Sequence, residues 1–130
     1  MFYISKDKNK IQFKRLKNLL STTYWANNRS EDKIRKSIEN SICYGAYLKE
    51  NNKQIGFARV VTDYATVYYI CDVIVDKNYR GNSIGKAIME TIVNDEELQD
   101  MKGMLITEDA HGLYEQYGFS KYENIFMCKK

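Results

Sequence analysis

Residues 72–87 read DVIVDKNYRGNSIGKA, an apolar run that meets a basic, glycine-bearing turn. The apolar run before Asp76 predicts a buried strand, and the spacing of Ile84, Ala87 and Ile88 predicts a helix directly after the turn. The junction leaves backbone N–H groups at the helix start without partners, next to the positive end of the helix dipole. Such a junction suits an anionic ligand and predicts a phosphate-binding turn.

Length and composition limit the kind of protein. The chain has 130 residues, of which 44% are hydrophobic, so we expect one core and a single domain over residues 1–130. The net charge of +3 is small and the lysines are spread along the chain, which argues against a nucleic-acid surface. No signal peptide and no apolar run approaching the ~18 residues of a membrane span is visible. We therefore expect a cytoplasmic protein without a membrane partner.

The three cysteines, Cys43, Cys71 and Cys128, are odd in number and lack the spacing of metal ligands. All three stand in apolar stretches, which is typical of reduced thiols in a protein core. The sequence therefore predicts neither disulfides nor a metal site.

Strands and helices are expected to alternate along the chain. Alternating or continuous apolar residues predict strands at 2–4, 42–48, 55–62, 67–75, 103–106, 119–122 and 125–129. Helical spacing predicts helices over 11–21, from an N-cap at Ser30 through Ile38, from Ile84 onward, and from an N-cap at Thr107 to Gly118. This order describes one mixed α+β domain.

Two motifs together resemble one family. The strand, turn and helix start at 73–87, and the sequence LYEQYGF at 113–119, are similar to the GCN5-related N-acetyltransferase (GNAT) superfamily. The resemblance implies the GNAT fold: a mixed, mostly antiparallel central sheet, splayed at its middle, with helices on both faces. The chain departs from the pattern at Ser83, where the first glycine of the turn is expected, and at Lys77, where a proline is common.

The resemblance implies acetyl-CoA as cofactor. Its pantetheine arm would lie in the gap between the strand at 73–75 and the strand at 104–106, and the turn amides would bind the pyrophosphate. The Val75 amide would polarise the thioester carbonyl. The implied cofactor-binding residues are Val73, Ile74, Val75, Arg80, Gly81, Asn82, Ser83, Ile84, Gly85 and Lys86.

The same resemblance implies a proton donor but leaves the base open. Tyr114 stands where the family often has a tyrosine that protonates the departing thiolate, although helical spacing also allows it a place in the core. The amine must lose a proton before it attacks. Asp72 is the first candidate for that base, with Asp63, His111 or a water chain as alternatives. The alternative for Asp72 is that it is the partner of a positively charged residue in an ion pair.

The acceptor is expected near the segment at 22–30, which forms one wall of the pocket in the family. Tyr24 and Trp25 offer aromatic faces to a cationic amine, and Arg29 offers a partner to a carboxylate. Asp63, at a strand end near the same cleft, is a second candidate for binding the ammonium group. These residues predict a small-molecule, amino-acid or peptide amine as acceptor.

The function predicted from the sequence is acetyl transfer from acetyl-CoA to a primary amine within a ternary complex. The alternative is a non-catalytic acyl-CoA-binding or interaction module on the same fold, which Ser83 favours because it adds a Cβ to the phosphate-binding turn. Family members commonly pair through their C-terminal strands, so a homodimer is also expected.

Overall fold

A computed structural model describes the whole chain, residues 1–130, and contains one five-stranded sheet. The strands are β1 (Phe2–Ser5), β2 (Ile42–Leu48), β3 (Gln54–Thr62), β4 (Val67–Val75) and β5 (Lys102–Leu105). They lie side by side in chain order. β1 to β4 are antiparallel neighbours, and β5 is parallel to β4. The predicted mixed and mostly antiparallel sheet is thus confirmed.

Four α-helices connect or flank these strands: α1 (Phe13–Ser21), α2 (Glu31–Glu39), α3 (Ile84–Val93) and α4 (His111–Glu115). The predicted N-cap of α2 is confirmed, because the Ser30 hydroxyl accepts a hydrogen bond from the Lys33 amide at 3.2 Å. Glu31 and Asp32 occupy the first turn, where negative charge is favourable. None of the helices has the length and apolar character needed to cross a bilayer.

The helices cover both faces of the sheet, as expected. On one face, α3 and α4 contribute Ile84, Ile88 and Tyr114 to a core shared with β2, β3 and β4. On the other face, α1 and α2 pack against Phe57 and Ile74. The apolar residues that recur at helical spacing in α3 face this core, and Ile88 among them has no exposed surface.

The C-terminal predictions are wrong at several points. No strand forms at 119–122 or 125–129, and Cys128 is exposed rather than in the core. The apolar alternation of this segment has no neighbouring strand to pair with, and an unpaired strand leaves its backbone groups to water. α4 begins at His111 rather than after Thr107, whose hydroxyl accepts a hydrogen bond from the Ala110 amide at 3.0 Å in the preceding turn.

Candidate active site

The sheet opens between β4 and β5. Pairing of the two strands begins at Val67 with Lys102 and ends at Ile70 with Leu105, while β4 continues to Val75. A bulge marks the same region, because the register of β4 with β3 shifts near Asp72, whose φ of 55° is left-handed. The far half of β4 therefore has a free edge, and the gap beside it is part of a cavity of about 720 Å³.

The free edge presents backbone donors to the gap. The Asp76 amide donates to the Ile55 carbonyl at 2.8 Å, so it faces β3. Because successive N–H groups of a strand point to opposite sides, the Val75 N–H faces the gap. The Val75 carbonyl also lies away from β3, since it accepts from the Arg80 Nε at 3.4 Å. This geometry suits the role expected of the Val75 amide.

The turn before α3 forms a cradle of backbone donors. The amides of residues 81–86 donate to no acceptor within the protein, since the first hydrogen bond of this helix start is from Ala87 to the Ser83 carbonyl. Gly81 has a φ of 88°, which glycine adopts without strain. The free amides lie at the positive end of the helix dipole, with Arg80 and Lys86 lining the same cavity. The predicted phosphate-binding turn therefore has the geometry that an anion requires.

The structure brings most of the expected cofactor-binding residues together. Nine of the ten line the cavity: Val73, Ile74, Val75, Arg80, Gly81, Ser83, Ile84, Gly85 and Lys86. Asn82 does not line it, because its Nδ2 donates to the Tyr79 carbonyl at 2.9 Å and holds the turn instead.

Ser83 occupies a left-handed position, with φ 63° and ψ 22°, and its hydroxyl makes no capping hydrogen bond to α3. This conformation explains why glycine is common here in the family, because a Cβ is costly in the left-handed region. The departure at Ser83 thus has a backbone cost that no capping bond offsets.

Replacing Ser83 by glycine is expected to raise the free energy of unfolding by about 1 kcal/mol, because glycine adopts the left-handed conformation without the Cβ clash. Urea unfolding measures the change. Ser83→Ala is the matched control, since it keeps the Cβ, removes the hydroxyl and should give no gain. A loss of stability in Ser83→Gly would contradict this account.

Tyr114 lines the cavity from α4 and is 9% exposed. Its ring packs edge-on against Phe119, at 6.4 Å between centroids, and its hydroxyl makes no hydrogen bond within the protein. Burial, and then the charges of Asp109 and Tyr24, raise the pKa of the Tyr114 phenol. The phenol is therefore protonated at neutral pH and is a proton donor facing the cavity.

Asp72 is buried in an ion-pair cluster. Its Oδ2 accepts from the Arg29 Nη1 at 2.6 Å and from the Arg59 Nε at 2.9 Å, and Arg59 also donates to the Ser41 hydroxyl. Burial alone would raise the pKa of Asp72, but the hydrogen bond from Arg29 and the charge of Arg59 outweigh it and hold the pKa below its usual range. A carboxylate with a lowered pKa is a poor base, so these contacts favour the interpretation of Asp72 as an ion-pair partner.

Two expected acceptor residues are engaged elsewhere. Arg29 binds Asp72, and neither lines the cavity. Asp63 closes the turn between β3 and β4: its carboxylate accepts from the Thr66 hydroxyl at 2.6 Å and from the Thr66 amide at 2.7 Å. These hydrogen bonds lower the pKa of Asp63, which also lies outside the cavity lining. The Asp63 turn is a local pattern, with Thr three residues after Asp, that the sequence could have revealed.

The aromatic pair lies where it was expected. Tyr24 and Trp25 line the cavity together with Thr22 and Thr23. Asp109, which was not singled out from the sequence, lines the same cavity from the loop between β5 and α4. It belongs to no recognisable motif, and its place depends on the course of the loop that follows β5. His111 is absent from the lining.

The open sheet, the amide cradle before α3 and the facing tyrosine define the acetyltransferase class of site. A family model described as "Acetyltransferase (GNAT) domain" matches residues 39–121. The chain belongs to the GNAT family.

Relatives and solved structures agree with this assignment. A GNAT-family protein from Xanthomonas campestris pv. campestris has 32% sequence identity and a TM-score of 0.94, with coverage of 100% of this chain and 93% of that one. An acetyltransferase from Clostridium acetobutylicum, solved with acetyl-CoA, has a TM-score of 0.72, covers 99% of this chain and 96% of that one, and at 17% identity shows the shared fold.

Curated relatives are longer than this chain. The chain is 28% identical over 109 residues to an N-acetyltransferase, ycf52, of Gracilaria tenuistipitata var. liui, which covers 80% of this chain. It is 32% identical over 88 residues to the histone acetyltransferase TAP1 of Glycine max, which covers 66% of this chain. The chain spans 59% of the first relative and 36% of the second.

Proposed function

We propose that the protein is an acetyl-CoA-dependent N-acetyltransferase that transfers the acetyl group directly to a primary amine of a small molecule, amino acid or peptide in a ternary complex. One observation carries the proposal: the amide cradle, the free edge of β4, Tyr114 and the aromatic pair of Tyr24 and Trp25 all line one cavity. A cavity shared in this way allows donor and acceptor to meet without a covalent enzyme intermediate.

The residues present fit the cofactor. The amides of 81–86 and the side chains of Arg80 and Lys86 suit a pyrophosphate, and the free edge of β4 suits an amide-bearing chain that pairs as a strand does. When bound, acetyl-CoA supplies an activated acetyl thioester. The Val75 N–H is placed to stabilise negative charge on a carbonyl oxygen, an effect that can be worth ~3 kcal/mol in a dry site. The Tyr114 phenol donates a proton to the departing thiolate.

Acetyl-CoA is expected to raise the melting temperature by several degrees, because a ligand at about 100 times its Kd adds ~2.7 kcal/mol to a domain of this size. Thermal unfolding with acetyl-CoA, and with ATP as a polyphosphate control, measures the shift. Arg80→Glu should reduce it, since Arg80 lines the cavity. Lys77→Glu makes the same charge change at an exposed position outside the cavity and should leave the shift intact.

Transfer itself is tested with a panel of amines, by following release of the CoA thiol and acetylation of the amine by mass spectrometry. Absence of a shift with millimolar acetyl-CoA would reject the cofactor assignment. A shift without transfer to any amine would instead favour the non-catalytic acyl-CoA-binding module.

We further propose a homodimer. β5 is the outermost strand, so one edge of it is open, and the C-terminal segment at 119–130 has an apolar, strand-like pattern without a partner in its own chain. Its large side chains from Tyr122 onward are exposed, from 63% for Phe126 to 93% for Met127. A second copy offers each segment an edge to pair with.

Light scattering after size exclusion is expected to give twice the 15.3 kDa mass of the chain. Replacing both Ile125 and Phe126 by lysine should shift the mass to that of the monomer, because the pairing surface would carry like charges. Lys129→Ala, in the same segment, is the control and should remain dimeric. A monomeric mass for the unaltered protein would reject this proposal.

A further inference from the structure

The two ends of the cavity carry opposite charges. Arg80 and Lys86 line the end formed by the turn and α3, whereas Asp109 lines the end formed by the loop between β5 and α4. Glu108 precedes Asp109 and lies close enough to Tyr24 to affect its titration: desolvation, and then the negative charge of Glu108, raise the pKa of the Tyr24 phenol. An anionic ligand is thus favoured at the first end and a cationic ligand at the second.

An aromatic pair stands at the acidic end. The rings of Tyr24 and Trp25 lie edge to face, 5.0 Å apart at 87°, and both line the cavity. They are 59% and 43% exposed, so neither is a buried anchor for its loop. Aromatic faces next to a carboxylate attract an organic cation.

The acidic end contains no partner for a carboxylate. Arg29, the nearest candidate in the sequence, is bound to Asp72, and the cations that line the cavity are Arg80 and Lys86 at the other end. A carboxylate beside the acceptor amine would therefore meet Asp109 without a compensating cation.

A second polar group without a protein partner lies at the same cavity. The Tyr114 side chain lines the cavity and is 9% exposed, its hydroxyl makes no hydrogen bond within the protein, and the charges of Asp109 and Tyr24 act on it. The hydroxyl is thus free to form a hydrogen bond with a ligand in the cavity. The reacting amine is thus expected between the Tyr114 hydroxyl and the Asp109 carboxylate.

Building on the proposed function, we propose that the acceptor is an aliphatic amine with no carboxylate near its amino group, and that Asp109 with the Tyr24 and Trp25 rings selects it. The Asp109 carboxylate accepts hydrogen bonds from the ammonium group as it binds, and the two rings enclose the alkyl chain. The ammonium group then gives one proton to water, and the neutral amine attacks the thioester. Asp109 is therefore a specificity-determining residue of the acceptor end.

The test compares cadaverine with the α-amino group of lysine, which has the same chain plus a carboxylate on the carbon that bears this amine. kcat/KM is expected to be about tenfold or more higher for cadaverine than for acetylation of the lysine α-amino group, because that group brings its carboxylate to the acidic end. Asp109→Asn should lower kcat/KM for cadaverine about tenfold, chiefly by raising KM, and should narrow the preference over lysine. Glu115→Gln removes an exposed charge outside the cavity and is the matched control.

The thermal shift with acetyl-CoA is measured in parallel on each variant and should persist in Asp109→Asn. Equal kcat/KM for the lysine α-amino group and for cadaverine, or an Asp109→Asn variant with unchanged KM, would overturn the inference and leave the proposed acetyltransferase function standing. Acetyl-CoA binding without transfer to any amine would overturn both.

Discussion

Replacing Asp72 by alanine is expected to lower the free energy of unfolding by about 3–5 kcal/mol, because the change leaves two arginines without their buried counter-charge. The Asp72 side chain is 2% exposed, and those of Arg29 and Arg59 are 23% and 14% exposed. Alanine is also less tolerant than aspartate of the left-handed φ of 55° at this position. Urea unfolding at neutral pH measures the loss.

Asp100 provides a matched control for this variant. It is also an aspartate in the left-handed region, with a φ of 61°, but it is exposed and makes no ion pair. Asp100→Ala therefore reports the backbone cost alone, which should be about 1 kcal/mol. Equal losses in the two variants would show that the buried ion pairs contribute nothing.

The pH dependence of the Asp72 effect has a definite sign. Because its folded-state pKa lies below the ordinary value, Asp72 stabilises the protein above the unfolded pKa of about 3.9 and loses that contribution as the pH falls through the folded pKa. The difference in stability between the unaltered protein and Asp72→Asn should therefore be largest at neutral pH and smaller near pH 3. A difference that grows on acidification would contradict the assignment.

The cluster also connects the sheet to the segment at 22–30, which is proposed to form the acceptor wall. Arg29 belongs to the segment that carries Tyr24 and Trp25, so its bond to Asp72 fixes that segment to the bulge of β4. Loosening the segment is expected to raise KM for the amine more than it changes the shift with acetyl-CoA, since Asp72 and Arg29 lie outside the cavity.

The strand, turn and helix at 67–93 could be predicted from the sequence because its signals are local: apolar alternation, a basic turn with Gly81, and helical spacing from Ile84. The cap at Ser30 is local in the same sense. The partners of Asp72 are not, since Arg29 is 43 residues away along the chain and Arg59 is 13. Residue type predicted Asp72 as a base and Arg29 as the partner of a substrate carboxylate, whereas in the fold the two form an ion pair.

The C-terminal segment shows the complementary difficulty. Its alternation has the periodicity of a strand, but a strand exists only where a neighbouring edge accepts its hydrogen bonds. Asp109 was missed for a related reason, because its place in the cavity depends on the parallel pairing of β4 and β5 and on the loop that follows. Periodicity in the sequence predicts where strands and helices can form, and tertiary pairing decides which of the predicted strands form.

Replacing Tyr114 by phenylalanine is expected to lower kcat about 100-fold near neutral pH, at the lower end of the range for acid–base catalysis. The hydroxyl makes no hydrogen bond within the protein, so its removal should change stability by less than about 0.5 kcal/mol and leave the thermal shift with acetyl-CoA unchanged. A core role for Tyr114 would instead leave turnover unchanged, because phenylalanine keeps the ring that packs against Phe119. Tyr122→Phe, at a 73% exposed position, is the control.

The pH profile separates a proton donor from a group that only shapes the cavity. A thiol of pKa about 8.5 leaves as the thiolate without help above that pH, so the deficit of Tyr114→Phe should shrink as the pH rises past about 8.5. Burial and the neighbouring Asp109 charge raise the pKa of Tyr114, so the phenol of the unaltered protein stays protonated over the same range. A deficit that is constant from neutral to alkaline pH would assign Tyr114 to positioning, and full turnover at every pH would remove it from the mechanism.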